Sequence, residues 1–283
     1  CCLTNPFLGH EAEPLEKAEN PKKVMVIGGG VAGLSAAFIA KERGHEVTLY
    51  EAGDVLGGNM RLAAYPPGKG DITNMIRSYI HRCQKDGVKI VMNCEVTPEI
   101  IKEEKPDSVI IATGSKTLIL PIEGIDNPAI IHGSDLLDGK RAAGKKVLVV
   151  GGGMVGCETA AFLGEQEHDV TVIEFRDTVG ADVIHEHRVY LMKDFEDYGI
   201  KEITGAKVCK FYEDGVEYET ADGVRHESRG YDSVILSMGF RNYNPLEEKI
   251  KDLVPETHVI GDAIRARRAL DATKEAYEVA SRI

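Results

Sequence analysis

Two sets of residues in this chain have the types and spacing to hold a dinucleotide. In the first, Gly28, Gly30 and Gly33 form Gly-x-Gly-x-x-Gly, and Glu51 follows with Ala52 behind it. The first glycine allows a tight turn, the second admits a pyrophosphate to the backbone, and the third lets a helix pack closely on a strand. Backbone N–H groups at Val31, Ala32 and Gly33 would open that helix without intrahelical partners, and the positive end of its dipole favours an anion. An acid at the distance of Glu51 accepts hydrogen bonds from a ribose diol. In the second set Gly151, Gly153 and Gly156 repeat the motif, with Met154 and Val155 as the nucleotide-binding residues inside it, and Glu174 supplies the acid. The offset is 123 residues for Gly28 and Gly151, for Glu51 and Glu174, and for His45 and His168. Glycines, strand and acid that agree at one offset predict two dinucleotide-binding domains of one type.

Such sites require strands that end at the glycines and at the acids. Residues 24–27 and 47–50 are short apolar runs that read as buried strands, and the helix between them carries Leu34, Ala36, Ala37, Ile39 and Ala40 before Gly44 stops it. Residues 145–150, 157–167 and 170–173 repeat strand, helix and strand. Residues 52–70 form a loop rich enough in glycine to lie close to a ligand. A helix is predicted over 72–85, a strand over 88–92, a short helix over 100–105 and a strand over 108–112. Residues 121–128 are a turn-rich domain boundary. Beyond the second acid, 207–212, 216–220 and 232–236 read as a β-meander, with turns at Gly215 and Asp222-Gly223. A strand at 258–260 and a helix over 270–283 close the chain. The fold class is α/β, with two Rossmann-like domains, each carrying a β-meander or short antiparallel element.

Composition narrows the class. Of 283 residues, 43% are apolar and 28% charged, which is ordinary for a soluble globular protein of about two domains. A net charge of −12 argues against nucleic acid or an anionic membrane as partner. The longest uncharged stretch, 24–40, is interrupted by three successive glycines and is shorter than the roughly 20 residues of a membrane span. No signal-peptide pattern precedes it. The six cysteines, Cys1, Cys2, Cys83, Cys94, Cys157 and Cys209, form no Cys-x-x-Cys. Scattered thiols predict a reducing, cytoplasmic setting. The opening at Cys1-Cys2, without Met, reads as part of a longer polypeptide.

With both motifs in place, the chain resembles the two-dinucleotide-binding-domain flavoproteins, of which glutathione reductase is a member. Ala112-Thr113-Gly114 is similar to that family's Ala-Thr-Gly linker. Val259-Ile260-Gly261-Asp262-Ala263 is similar to its Gly-Asp motif, whose Asp bonds the FAD ribityl chain. The resemblance spans 22–283 and implies that one domain is inserted in the other. Residues 22–118 plus 241–283 would bind FAD, and residues 119–240 would bind NADH. It also implies FAD contacts at Gly58, Asn59, Thr113, Gly114, Gly261, Asp262 and Ala272, and a nicotinamide-nucleotide contact at Gly239.

A narrower resemblance lies at the N-terminus. Cys2-Leu3-Thr4-Asn5-Pro6 with Gly9-His10-Glu11 resembles the junction in 2-enoate reductases, 2,4-dienoyl-CoA reductases and trimethylamine dehydrogenase, which carry an N-terminal flavin barrel related to old yellow enzyme. Gly261-Asp262, Asp271-Ala272 and Glu275-Ala276-Tyr277 are similar to the enoate reductase branch, although Ala263 stands where many members have Cys. The resemblance implies that 1–21 lead in from a missing FMN barrel and iron–sulfur region. Cys2 would be the fourth ligand of a [4Fe–4S] cluster whose other three ligands lie upstream. The alternative is that Cys1 and Cys2 are incidental thiols.

Hydride transfer from NADH to a flavin requires position rather than a side-chain acid or base, so no catalytic residue is assigned. NADH on the second domain would place its nicotinamide C4 near flavin N5. Glu174 favours NADH over NADPH, since a carboxylate there repels a 2′-phosphate. Arg176 reads as a surface arginine, with no second Arg beside it. Asp262 reads as a flavin ligand, a helix N-cap or both. Cys157, early in a helix, has either a lowered pKa or a packing role. His185 and His187 diverge on a helix, which argues against a metal pair. Arg265, Arg267 and Arg268 read as a solvated turn.

Three functions compete. One is an NADH-dependent flavin oxidoreductase module that feeds the cluster and a barrel where, by resemblance, a small molecule's activated C=C bond of the enoate or enoyl-CoA type is reduced. The second is a domain that holds ADP or FAD without turnover, as in trimethylamine dehydrogenase. The third is a stand-alone NAD(P)H:acceptor reductase. A disulfide reductase is disfavoured, because neither Cys-x-x-Cys nor Cys-x4-Cys occurs.

Overall fold

In the computed structural model, which describes residues 2–10 and 12–283, each fingerprint begins where a buried parallel strand ends. The first unit opens with β1 (Lys23–Ile27), α1 (Val31–Glu42), β2 (Glu46–Tyr50), α2 (Asp71–Lys85), β3 (Lys89–Val91), α3 (Pro98–Glu104) and β4 (Ser108–Ile111). The chain leaves it through β5 (Ser115–Thr117). The second unit holds β6 (Ile131–His132), α4 (Gly133–Leu137), β7 (Lys146–Val150), α5 (Met154–Glu165), β8 (Asp169–Ile173), α6 (His185–Asp197) and β9 (Lys201–Ile203). It continues with β10 (Lys207–Tyr212), β11 (Gly215–Glu219), β12 (Arg225–Ser228) and β13 (Ser233–Leu236). The chain returns through β14 (Phe240–Asn242), which pairs with β5, and ends with α7 (Glu247–Ile250), β15 (Glu256–Val259) and α8 (Ala269–Ala280).

The described residues of 2–64, 71–116 and 241–283 form one compact unit, and those of Tyr65–Gly70 with Thr117–Phe240 form the other. The first sheet runs β15-β4-β1-β2-β3 and the second β6-β13-β7-β8-β9, and every pairing in both is parallel. Parallel strands covered on both faces read as continuous apolar runs, and Val24–Ile27 and Val147–Val150 are buried throughout. Helix α1 is buried from Val31 to Ala40 and shares a core with Ala272, Ala276 and Ala280 of α8. The small residues on both helices let their backbones come close. Helix α2 is one-sided instead, burying Met75, Ile76, Tyr79 and Cys83 at helical spacing.

One expectation changes. The run 232–236 is not a meander strand. It is β13, paired between β6 and β7 in the parallel sheet and buried at all four positions, and Arg225–Ser228 takes its place in the antiparallel meander β10-β11-β12. That meander belongs to the second unit, while the five-stranded sheet of the first is wholly parallel. The described residues of the 2–21 segment are irregular as expected, and several of them pack on the first unit. Phe7 stacks on Phe38 and meets the edge of Tyr277, Arg82 lies over both phenylalanines, and the Tyr79 hydroxyl donates to the Leu3 carbonyl at 3.1 Å.

Candidate functional site

The turn after β1 is fixed by close packing. Gly28 has φ of +110°, and a Cβ on it would meet the Ala112 carbonyl oxygen at 2.2 Å. A Cβ on Gly33 would lie 1.9 Å from the Gly28 carbonyl oxygen, so α1 crosses the turn only because both residues lack side chains. Gly30 is the N-cap of α1, with no side-chain cap and nothing within 4 Å of where its Cβ would be. Uncapped N–H groups beside open space suit an anionic pyrophosphate.

Glu51 ties this turn to the loop after β2. Its Oε2 accepts from the Gly29 N–H and its Oε1 from the Gly53 N–H, both at 2.7 Å. Each oxygen keeps a second lone pair for a ribose hydroxyl. The loop then folds back, with the Gly57 N–H donating to Gly29 at 2.8 Å. A Cβ on Gly58 would be 3.1 Å from the Gly30 Cα. The Asn59 amide donates to the Ser115 carbonyl and faces its hydroxyl, and that hydroxyl donates to Asp262 Oδ2 at 3.0 Å. A Cβ on Gly261 would lie 3.0 Å from Ala32 Cβ and 3.4 Å from Ala272 Cβ. The fingerprint, Glu51, Gly58, Asn59, Gly261, Asp262 and Ala272 thus surround one helix start. Thr113 instead donates to the Tyr243 carbonyl, and the Gly114 carbonyl accepts from the Tyr243 N–H. Ala52 is exposed beside Glu51.

The second unit repeats this framework bond for bond. Gly151 has φ of +106° and would clash with the Ser237 carbonyl, and a Cβ on Gly156 would meet the Gly151 carbonyl oxygen at 1.8 Å. Glu174 accepts from the Gly152 N–H at 2.6 Å and from the Arg176 N–H at 2.9 Å, and the Gly180 N–H donates to Gly152 at 2.7 Å. Gly239 follows β13 as Gly114 follows β4, and both have positive φ. The 123-residue offset therefore runs further than the sequence motifs showed: Gly53 matches Arg176, Leu56 matches Val179, Gly57 matches Gly180 and Asn59 matches Asp182. At the last pair the units part. Asp182 accepts from the Met154 N–H at 2.9 Å, and its Oδ2 would lie 3.3 Å from a Cβ on Gly153.

A cluster that sequence reasoning missed lies further along α5. Glu158 is nearly buried, forms an ion pair with Lys69 and faces His187 Nε2 at 3.2 Å. The one available signal was a carboxylate in an otherwise apolar and small-residue helix; its partners lie far away in sequence. His187 Nε2 lies against Glu158, and no group of three or more His, Cys, Asp or Glu is placed to hold a metal ion among the described residues. Cys157 has the packing role. Burial pushes its thiol up to about 12, and the thiol donates to the Gly152 carbonyl. Asp262 does not cap α8, which starts after Arg268; its Oδ1 accepts from the Arg267 N–H at 3.0 Å. Arg267 is not merely solvated, for it pairs with Glu275, whose other oxygen accepts from the Gly261 N–H. Hydrogen bonds from the Thr4 hydroxyl and from the backbone of Thr4 and Asn5 hold the Cys2 thiol below its ordinary pKa, which suits a thiolate ligand.

Residues 22–260 match the pyridine nucleotide-disulphide oxidoreductase family. The chain belongs to that family. Like the family, it is an α/β two-domain dinucleotide-binding flavoprotein that takes FAD and NAD(P)H. It is 35% identical to the cinnamate reductase of Clostridium sporogenes over its whole length, covering 42% of that protein. It is 34% identical to the NADH oxidase of Thermoanaerobacter brockii, again over the whole chain and 44% of the relative. Among solved structures it overlays on a 2-naphthoyl-CoA reductase complex with a TM-score of 0.93 and 33% identity, covering all of this chain and 43% of that one. The chain thus spans less than half the length of each of these three proteins, consistent with the C-terminal FAD and NADH part of enoate-reductase-type enzymes. No helix among the described residues is long and apolar enough to cross a membrane.

Proposed function

We propose that this chain is the NADH-oxidising part of a longer reductase, with FAD on the first unit and NADH on the second. The observation that carries the reading is the doubled framework, two glycine turns each locked to its own glutamate by backbone N–H bonds. On the first unit, Gly30, Val31 and Ala32 would receive the FAD pyrophosphate, Glu51 the adenosine ribose, and the Asn59–Ser115–Asp262 chain the flavin-side hydroxyls. On the second, Gly153, Met154 and Val155 would receive the NADH pyrophosphate and Glu174 its ribose. Glu174 is held by two N–H donors, so its charge stays where a 2′-phosphate would have to go, and NADH is preferred over NADPH.

Bound FAD supplies hydride acceptance from NADH, and a [4Fe–4S] cluster and FMN in the rest of the polypeptide supply one-electron transfer and reduction of an activated C=C bond, as in an enoate or enoyl-CoA. Cys2 would give the cluster its fourth ligand. The names of the relatives, cinnamate reductase and 2-naphthoyl-CoA reductase, support that substrate class. A reducing cytoplasm belongs to the same reading, supported by free thiols at Cys2, Cys83, Cys94, Cys157 and Cys209.

The test is an anaerobic absorption spectrum of the chain loaded with FAD, before and after one equivalent of NADH. Loss of the flavin band near ~450 nm is expected. Flavin that binds but ignores NADH would favour a domain that holds nucleotide without turnover, and no flavin binding would overturn the reading.

A further inference from the structure

Asp182 stands where the second dinucleotide's pyrophosphate would have to bind. Its Oδ1 accepts from the N–H of Met154, the first residue of α5, and its Oδ2 borders the space beside Gly153. Those are the amide and the space that a pyrophosphate uses at a Gly-x-Gly-x-x-Gly turn. The equivalent residue in the first unit, 123 positions earlier, is Asn59, which is uncharged and turns away to Ser115. Helix α1 is left uncapped and the space beside Gly30 open. Two frameworks that share the glycine turn, the bridging glutamate and the loop's return bond differ at this side chain, which decides whether an anion already occupies the helix start.

We infer that Asp182 is a built-in competitor for the pyrophosphate of the pyridine nucleotide, and that it makes the second unit an exchange site while the first retains its cofactor. This rests on the proposed placement of NADH on the second unit. For a dinucleotide to bind, the carboxylate must leave the Met154 N–H and move away from two phosphate charges. Binding energy is used to displace it, and the same carboxylate is available to recap the helix when the nucleotide departs. A site emptied in each catalytic cycle gains from such a competitor, whereas a site for a retained flavin would only lose by it. Asp182 is exposed, so the competition is screened by solvent and its effect is moderate.

The experiment compares the FAD-loaded 283-residue chain with its Asp182→Asn and Asp182→Ala variants. Calorimetry measures binding of ADP-ribose, which has the pyrophosphate, and of adenosine, which lacks it. Both variants are expected to bind ADP-ribose about two- to fivefold more tightly, in line with the worth of one exposed charge at a helix terminus. Adenosine affinity is expected to stay unchanged, and the gain for ADP-ribose to shrink at high salt. Equal or weaker ADP-ribose binding in both variants overturns the inference and leaves the NADH assignment standing. A gain that adenosine shares equally also overturns it, because the effect would then not come from the phosphates. If none of the three proteins binds ADP-ribose, the NADH assignment fails and this inference fails with it.

Discussion

The two units solve one problem twice, and their shared parts separate from the parts that distinguish them. Shared are the parallel strand, the glycine turn, the glutamate that bridges turn and loop, and the loop that folds back through Gly57 or Gly180. These set the backbone geometry, and each rests on atoms a side chain would displace. What differs lies outside that frame. The first unit adds Gly261, Asp262 and α8 around its helix start, a substructure suited to a long cofactor with a polar chain beyond the ribose. The second adds Asp182 over the helix start and the Glu158–Lys69–His187 cluster along the same helix. Under the proposed assignment, a retained ligand and an exchanged one share a fold and differ in a few side chains.

The comparison breaks most decisively at the third glycine. Gly33→Ala and Gly156→Ala each push a methyl into a carbonyl oxygen, a strain of about 1–3 kcal/mol or more. Gly33→Ala should lose FAD, while Gly156→Ala should keep FAD and lose NADH, as read by flavin fluorescence and nucleotide titration. If either variant lost both ligands at unchanged melting temperature, the two sites would not be independent.

The histidines sharpen the contrast between the units. His45 Nδ1 accepts from the Lys22 N–H at 3.0 Å, whereas His168 Nδ1 faces the Gly144 carbonyl at 2.7 Å. Burial, with a further push from Arg43, lowers the His45 pKa from its ordinary value of about 6.5. A group depressed in the folded state stabilises fully above its unfolded value and loses that stability as pH falls through the folded one. Melting temperature should therefore drop below about pH 6.5, and His45→Gln should flatten that drop. An unchanged drop in His45→Gln would contradict the assignment.

The cysteines give the smallest contrast. Cys83 donates to the Leu34 carbonyl and Cys157 to the Gly152 carbonyl, and burial pushes both up to about 12. Both thiols should resist alkylation in the native chain at neutral pH, while Cys94 and Cys209 react. Mass spectrometry after a short iodoacetamide pulse reads the difference, and rapid native labelling of Cys157 would revive a reactive role for it.

Much of this was legible in the sequence, because the fingerprint rules are local. Strand, turn, helix and acid follow each other within one β-α-β unit, so Gly28 to Glu51 and Gly151 to Glu174 could be read directly. The strand at 232–236 misled because its neighbours carry turn signals; its unbroken Val-Ile-Leu run, with Ser at its start, was the better guide to a buried parallel strand. Asn59 was read as a flavin contact, but its equivalence to Asp182 escaped notice because equivalent loop residues need not be identical. Glu158 could not be paired with Lys69 in advance, since only the fold brings them together.

The central claim is that the two equivalent glutamates serve different ligands, and an exchange experiment tests it most directly. Glu51→Ala and Glu174→Ala chains are loaded with FAD, passed through a desalting column, assayed for retained flavin, then titrated with NADH and NADPH. Glu51→Ala should shed FAD. Glu174→Ala should retain it and weaken NADH more than NADPH. Flavin loss from Glu174→Ala with retention in Glu51→Ala, or equal losses of NADH and NADPH in Glu174→Ala, would contradict the division of labour between the two units.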